Sequence, residues 1–418
     1  MVLEILSPFA VATGVVIGVL LLVVLPELHM WLEQRALRGR RRQAAPDAPP
    51  VRVTSLVIYP VKSCGGIAVQ EAPCTSRGLR HDRQWMVIYG ATGSMVTQRQ
   101  VPKMALIQPV GLPVAEGSVP GSGQAQLVLE APGMPTLEVP IVGEGAATTR
   151  DVRVWEDKCP GVDQGDAAAA WLSKFMGREA AEAAGAENGG DLSELRLVWF
   201  PPAGRRPADP KYSPGAEAGA YSDGFPFLVV SEESLLELNA RLPEGTPPLP
   251  MDRFRPNIVI AGSGAPFLED QWERIKFLSR STTQISGELP PRSTRKGGSS
   301  VNMRIVKPCS RCKIPTTDQA TGKQATPAPG QGEAEPTRTL RQFRTGKALR
   351  LPNVKWRDEV FFGQNAVLIG GGTQGARAGG LSSLWQWPLA SRFPRAFVLR
   401  VGDDVVVQRK QAWVTWGM

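Results

Sequence analysis

Residues 300–318, SVNMRIVKPCSRCKIPTTD, read as a strand that runs into a loop carrying two cysteines three positions apart. The apolar run ends at Lys307-Pro308, and the residues after Cys312 (Ile314, Pro315, Thr316, Thr317) are poor helix formers. The same texture extends in both directions. From Val51 onward, VRVTSLVIYP, RQWMVIYG, SMVTQRQ, MALIQPV, AQLVLEAP, TLEVPIV and DVRVWEDKC recur as short apolar runs between turn residues. Runs of this length and spacing predict the strands of an antiparallel barrel or sandwich. ELRLVWFP, FRPNIVIAG, QWERIKFL, FFGQNAVLIG and GDDVVVQ add further strands. Helices are expected at GDAAAAWLSKFMG, at LRQFRTGKALR and at SEESLLELNARL, where Ser231 caps and Leu235, Leu236 and Leu238 face inward. The expected fold class is α+β, mostly β. Residues 51–160 would form an N-terminal β-barrel domain and residues 161–418 a larger domain centred on a second barrel. Polar, Gly/Pro-rich surface insertions are expected near 281–300 and 323–340, and a third insertion near 371–396.

The inventory excludes several chemistries. The 418 residues carry a net charge of +9, but no RNA- or DNA-binding signature accompanies it, so nucleic acid is not an expected partner. There are only two histidines, His29 and His81. A Ser-His-Asp hydrolase, a histidine-rich zinc hydrolase and a two-histidine iron oxygenase all need more imidazole than this. Five cysteines in so long a chain argue for reduced thiols.

Between Glu4 and Glu27 lie 22 uncharged residues, and RALRGRRR follows. At about 1.5 Å per residue such a helix crosses a bilayer core of about 30 Å. The expectation is a single N-terminal transmembrane helix, a signal anchor, with the arginines and the body on the cytosolic side. QAAPDAPP would then be an extended linker, making residues 1–50 an anchor and tether.

The Cys-Ser-Arg-Cys loop admits several readings. A structural zinc site needs two ligands beyond this pair, and Cys64, Cys74, Cys159 and His81 offer no tight spacing. A thioredoxin-like dithiol needs a helix after the motif. Two inert thiols are a third possibility, against which Lys307, Arg311 and Lys313 create an electropositive setting that stabilises thiolate. A fourth is a single thiolate ligating a metal within an anionic group held by those basic residues.

YPVKSCGGIAV, GLRHDRQWMVI, MVTQRQVPKMALI, YSDGFPFLVVSEESLLELN, FRPNIVIAG and KPCSRCKIPTTDQATGK occur in the order found in MOSC-domain proteins. Among these the chain resembles the mitochondrial amidoxime-reducing components, a molybdenum-enzyme family. The resemblance implies an N-terminal MOSC-type β-barrel domain and a MOSC domain clasping a molybdenum-molybdopterin, with Cys312 as catalytic metal ligand. Ser310 and Arg311 fall in the cofactor-holding stretch beside it. Lys62, Ser63 and Arg83 match pterin and phosphate contacts from the N-terminal side, Arg255 and Asn257 match contacts from the MOSC side, and Asp223 matches a backbone contact loop. This chain departs from some relatives in carrying Gly224-Phe225 where they have small polar residues.

By the same resemblance the protein is expected to reduce N-hydroxylated substrates such as amidoximes and N-hydroxyguanidines. Electrons would come from NADH through a flavoprotein reductase and an acidic b-type cytochrome, and the mitochondrial outer membrane is favoured over the endoplasmic reticulum. A non-catalytic carrier or sulfuration protein for the cofactor, and a membrane-tethered, zinc-stabilised structural protein, are the alternatives.

Overall fold

The structure, a computed structural model, describes residues 50–112, 126–141, 147–185, 192–279, 300–327, 329–369 and 398–410. In chain order the first strands are β1 (Arg52–Ile58), β2 (Ile67–Val69), β3 (Glu71–Thr75), β4 (Gly78–Leu79), β5 (Trp85–Tyr89) and β6 (Gln108–Gly111). Next come β7 (Gln126–Glu130), β8 (Leu137–Pro140), β9 (Thr149–Val154), β10 (Asp157–Asp163), β11 (Leu195–Trp199) and β12 (Phe227–Ser231). The last are β13 (Ile258–Ala261), β14 (Trp272–Leu278), β15 (Ser300–Ser310), β16 (Phe361–Leu368), β17 (Val398–Arg400) and β18 (Asp404–Lys410). Three α-helices are described, α1 (Asp166–Ala184), α2 (Glu232–Ala240) and α3 (Thr337–Phe343), so the described residues are mostly β.

Seven strands close into a barrel in the order β1-β13-β12-β16-β15-β14-β18, with β18 returning to β1 and β2 appended beside β1. All neighbours are antiparallel except β12 and β13. Parallel neighbours need a crossover, and α2 supplies it. Ser231 ends β12 and caps α2 by accepting a hydrogen bond from the Ser234 amide. Val53, Leu56, Val229, Ile260, Phe277 and Met303 fill the interior.

Ahead of the barrel in sequence lies a half-barrel rather than the closed barrel expected. Its sheets are β5-β11-β10-β9 and β6-β7-β8. Helix α1 buries Ala168, Leu172, Met176 and Ala180 in the same core as Trp85, Val87, Leu195 and Leu197. These helical positions recur every four residues, the spacing of one face. Strand β1 precedes this half-barrel yet pairs in the seven-stranded barrel, and the chain leaves it at Tyr59 to reach β5 through a bridge between Val61 and Trp85.

Several expectations change. SMVTQRQ forms isolated bridges at Ser94 and Met95 and then turns, because Gln100 Oε1 accepts from both the Thr97 amide (3.0 Å) and hydroxyl (2.8 Å) and curls the segment on itself. MALIQPV begins as the end of a 3-10 turn, Pro102–Leu106, whose proline presets φ. Leu236 is 67% exposed, since the inward face of α2 runs through Ser234 and Leu238. Helix α3 also starts earlier than expected and stops at Phe343, and Thr339 and Leu340, within the stretch expected as a surface insertion, are buried. The expected anchor at residues 5–26 and the insertions near 281–300 and 371–396 fall outside the described residues, apart from Ser300, which opens β15. Among those described, no helix is long and apolar enough to cross a membrane.

Just past α3, the Arg344 guanidinium turns into the barrel wall and makes a bidentate pair with Asp270 (2.6 and 3.1 Å), while Gln364 of β16 donates to the same carboxylate at 2.6 Å. Both charged side chains are at most 5% exposed. Removing one partner of such a pair strands a buried charge. Arg344→Met is therefore expected to lower unfolding stability by about 3–5 kcal/mol, read as a midpoint shift in urea, and an unchanged midpoint would contradict this role.

Candidate functional site

Strand β1 delivers Tyr59 to Ser63 directly to the place where the half-barrel meets the seven-stranded barrel. The Lys62 amide donates to Trp85 O (2.8 Å) and the Arg83 amide to Tyr59 O (2.7 Å), which fixes this crossing. Opposite stand three barrel-borne pieces: the loop 222–225 before β12, the turn 254–257 before β13, and the end of β15 with Cys309 to Cys312. They enclose a cleft of about 130 Å³. Cys312, Lys62, Ser63, Arg83, Asp223, Arg255, Asn257, Ser310 and Arg311 all line it, so the nine residues singled out from sequence converge on one place. A larger cavity of about 710 Å³ shares only Arg255 with the cleft and is lined by no thiol, lysine or histidine. The Cys309 and Cys312 thiols and the buried Lys62 line the smaller space.

The cationic side chains are held differently. Lys62 is 5% exposed and donates to Tyr221 O (2.8 Å) and Asp223 Oδ1 (2.5 Å). Burial pulls its pKa down to about 8, against the opposing pull of Asp223. Burial would raise the Asp223 carboxyl, but Lys62 and Arg99 outweigh this and hold it well below the usual carboxylate range. With its side chain 56% exposed at the mouth, solvent screens part of this pairing. Arg83 pairs with Asp82 at 2.6 Å and donates to Arg255 O at 3.2 Å. The Arg83 and Arg255 guanidiniums lie 4.4 and 4.2 Å from the centre of the Tyr59 ring. Burial pushes the Tyr59 phenol up to about 12 and pulls Arg255 down to about 10.

Asn257 is fully engaged by the protein: Oδ1 accepts from the Leu228 amide and Nδ2 donates to Val57 O, both at 3.2 Å. It ties β1 to β12 at the cleft floor. Arg311 Nη2 donates to Phe254 O (2.9 Å) and Nη1 lies 3.2 Å from Cys309 Sγ, whereas Cys312 Sγ accepts from the Ile314 amide at 3.4 Å. The expected electropositive trio does not act as a unit. Lys307 is enclosed by the Tyr212, Phe225 and Trp356 rings (5.2, 5.8 and 5.1 Å), and of the three only Lys313 is exposed.

Backbone conformation marks the same place. Seven non-glycine residues among those described have positive φ, and four are at this cleft: Ser63 (66°), Arg83 (49°), Arg255 (54°) and, at the mouth, Trp155 (55°). Each costs about 1 kcal/mol or more and persists only where its surroundings enforce it. Gly219 (φ 89°) starts the loop into Asp223, where a Cβ would lie 2.6 Å from Ser222 Oγ.

The other cysteines offer no partner to the Cys-Ser-Arg-Cys pair. Cys64, Cys74 and Cys159 sit in three separate hydrophobic cores, where burial raises the first two to about 12 and the third to about 11. Among the described residues no group of three or more His, Cys, Asp or Glu side chains could hold a metal. A short 3-10 turn, Ile314–Thr316, follows Cys312 where a dithiol site would need a helix. The cleft does fit an anionic group. Arg255 Nη2, Arg311 Nε and Ser222 Oγ are buried with no protein partner, and buried unpaired donors are costly unless an acceptor joins them. A phosphate-bearing cofactor offers such acceptors, and Cys312 offers sulfur to a soft metal.

Sequence reasoning missed Arg99, Trp155, Ser222 and Arg206. Arg206, 2% exposed, pins the 220–223 loop by donating to the Ala220 (3.2 Å), Ser222 and Asp223 (2.9 Å) carbonyls. Thr97-Gln98-Arg99-Gln100 is too polar for a buried strand, and that was the available signal for Arg99. A tryptophan directly before Glu156-Asp157 was the signal for a ring on a turn.

A half-barrel and a closed barrel, meeting at a thiol-bearing cationic cleft, make a two-module architecture. Residues 50–179 match the MOSC N-terminal beta barrel domain and residues 217–406 the MOSC domain, and the chain belongs to the MOSC family. It is 32% identical over 322 residues to the mitochondrial amidoxime-reducing component 1 of Mus musculus, covering 75% of this chain and 76% of that protein. To the Homo sapiens component 1 it is 33% identical over 320 residues, covering 74% and 77%. The molybdenum cofactor sulfurase of Oryza sativa subsp. japonica is 26% identical over 328 residues, which span 77% of this chain but 34% of that protein.

The lowered Lys62 pKa gives the cleft a pH signature. Below about 8 the ammonium is charged and attracts an anion; above it that attraction fades. Pyrophosphate binding to cofactor-free protein, followed by calorimetry, should weaken between pH 7 and 9, the range chosen to bracket that value. Lys62→Met should bind more weakly and lose the pH dependence. A flat profile in the wild-type protein would contradict the assignment.

Proposed function

We propose that this protein is a molybdenum-cofactor-dependent reductase of N-hydroxylated compounds, amidoximes and N-hydroxyguanidines among them. The observation that carries this reading is the convergence of the Cys312 thiol with buried, unpartnered guanidinium and hydroxyl donors in one cleft. The relatives named as amidoxime-reducing components add the reaction class. Cys312 would hold the metal, and Lys62, Arg83, Arg255 and Arg311 would bind the anionic pterin-phosphate, with Ser63, Ser222 and Ser310 as hydrogen-bonding partners. Once bound, the cofactor supplies two-electron chemistry at molybdenum, by which an N-hydroxyl oxygen is released as water with two protons.

The protein's own contribution is orientation and charge. Asn257 ties β1 to β12, Arg206 pins the 220–223 loop, and the Arg311 amide and guanidinium hold the end of β15 to the Val360 and Phe254 carbonyls, so the cationic donors are in place before a ligand arrives. We assign electron supply to NADH through a flavoprotein reductase and a small acidic b-type cytochrome, which the +9 chain would attract. A carrier role is the second reading, favoured by the similarity to the cofactor sulfurase.

Molybdenum-loaded protein supplied with NADH, reductase and cytochrome is expected to reduce benzamidoxime to benzamidine. Cys312→Ala should fall to background, while Cys309→Ala keeps most of the rate. No turnover by loaded wild-type protein points to a carrier, and activity surviving in Cys312→Ala but lost in Cys309→Ala would reassign the ligand.

Residues 5–26 are further assigned as a membrane anchor with the body cytosolic, on the strength of the 22 uncharged residues before the arginine cluster. Full-length protein should stay in the pellet on alkaline carbonate extraction, and its release would contradict the anchor. The mitochondrial outer membrane is the expected site.

A further inference from the structure

Strands β9 and β10 are joined by a two-residue hairpin turn, Trp155–Glu156. Such turns need positive φ at their first position and are usually built with glycine, asparagine or aspartate there. Here the position is occupied by Trp155, with φ 55° and 42% of the residue exposed. Neither the turn geometry nor burial in a hydrophobic core accounts for a strained, solvent-facing tryptophan there.

Its contacts connect it to the cleft. The Arg99 guanidinium lies 4.2 Å from the centre of the Trp155 ring, and the indole N–H donates to Asp223 Oδ1 at 3.1 Å. Arg99 and Asp223 line the same cleft as Cys312. Oδ1 of Asp223 is occupied by Lys62 and by the indole, whereas Oδ2 has only a 3.5 Å approach from Arg99. A carboxylate whose side chain is half-exposed and whose Oδ2 has spare acceptor capacity therefore stands beside an exposed aromatic ring at the mouth.

From this geometry we infer that Trp155 and Asp223 form a substrate platform that selects aryl-bearing N-hydroxylated compounds over alkyl ones. The inference rests on the reductase reading and adds its specificity. The ring gives an aryl group a surface to stack on, rigidified by Arg99. Asp223 Oδ2 accepts from the amino N–H of the amidoxime carbon, which orients the N-hydroxyl inward. Trp155 acts on recognition and Cys312 on the chemistry, so the two should separate kinetically.

The test compares benzamidoxime with acetamidoxime on molybdenum-loaded protein driven by a small chemical reductant. Trp155→Asn removes the ring but suits the left-handed turn, and Trp155→Phe keeps a ring without the N–H. The KM for benzamidoxime should rise roughly three- to tenfold in Trp155→Asn and less in Trp155→Phe, with kcat and the acetamidoxime KM little changed. Molybdenum and pterin content should equal wild type in both variants. Calorimetric titration with benzamidoxime should show the same order of affinities without turnover. Equal effects on both substrates, no effect on either, or loss of cofactor in Trp155→Asn overturns the platform. If wild type binds benzamidoxime through Trp155 but reduces neither compound, the reductase reading fails and the binding assignment stands.

Discussion

Everything at the cleft depends on β1 closing the barrel. Its backbone pairs with β13 and β18, and Asn257 reinforces the seam by bonding Val57 on one side and Leu228 on the other. Because β1 is fixed there, the five residues after it have no freedom to wander. Tyr59 is placed under the Arg83 and Arg255 guanidiniums, and Lys62 and Ser63 face the end of β15. A strand near the start of the described chain thus orders a loop some 250 residues later. Most of its lateral partners are distant in sequence, so the barrel and the site form together or not at all.

The electrostatics follow from the same closure. Five cations, Lys62, Arg83, Arg99, Arg255 and Arg311, are brought into one small space, and the protein answers them only in part. Asp82 takes Arg83, Asp223 takes Lys62, and backbone carbonyls take Arg311 and part of the Arg83 charge. Arg255 keeps an unpartnered buried N–H and has only a 3.4 Å approach to Gln319. Burial without full neutralisation is unfavourable by itself, and it makes sense as a cradle pre-organised for an anion. The left-handed backbone at Ser63, Arg83 and Arg255 belongs to the same design, since strain of this kind is tolerated where function needs a direction that relaxed geometry does not give.

How far the sequence could be read depended on the range of the interaction. The alternating apolar runs were legible because strand burial is periodic, and the cysteine loop was legible because two thiols beside basic residues have few roles. What could not be seen was pairing across distance. Nothing in Val51-to-Tyr59 says that this strand belongs with β13 and β18 and not with the half-barrel after it. SMVTQRQ reads as a strand because the hydrogen bonds that Thr97 donates to the Gln100 side chain have no signature in hydrophobic pattern. Lys307 looked like part of an electropositive patch until three rings, from Tyr212, Phe225 and Trp356, converged on it from separate segments. The nine residues carried by ordered motifs all line the one cleft. Arg99, Trp155, Ser222 and Arg206 were not legible, because their roles lie in contacts with Asp223 and its loop and not in any local spacing.

We propose that Cys312 and the surrounding guanidiniums hold a pterin-bound molybdenum. This is tested most directly by quantifying metals and pterin in protein purified from a host that makes the cofactor. Molybdenum and pterin are expected in equal amounts, approaching one of each per chain, with zinc at trace level. Stoichiometric zinc with no pterin, or protein free of both under those conditions, would contradict it.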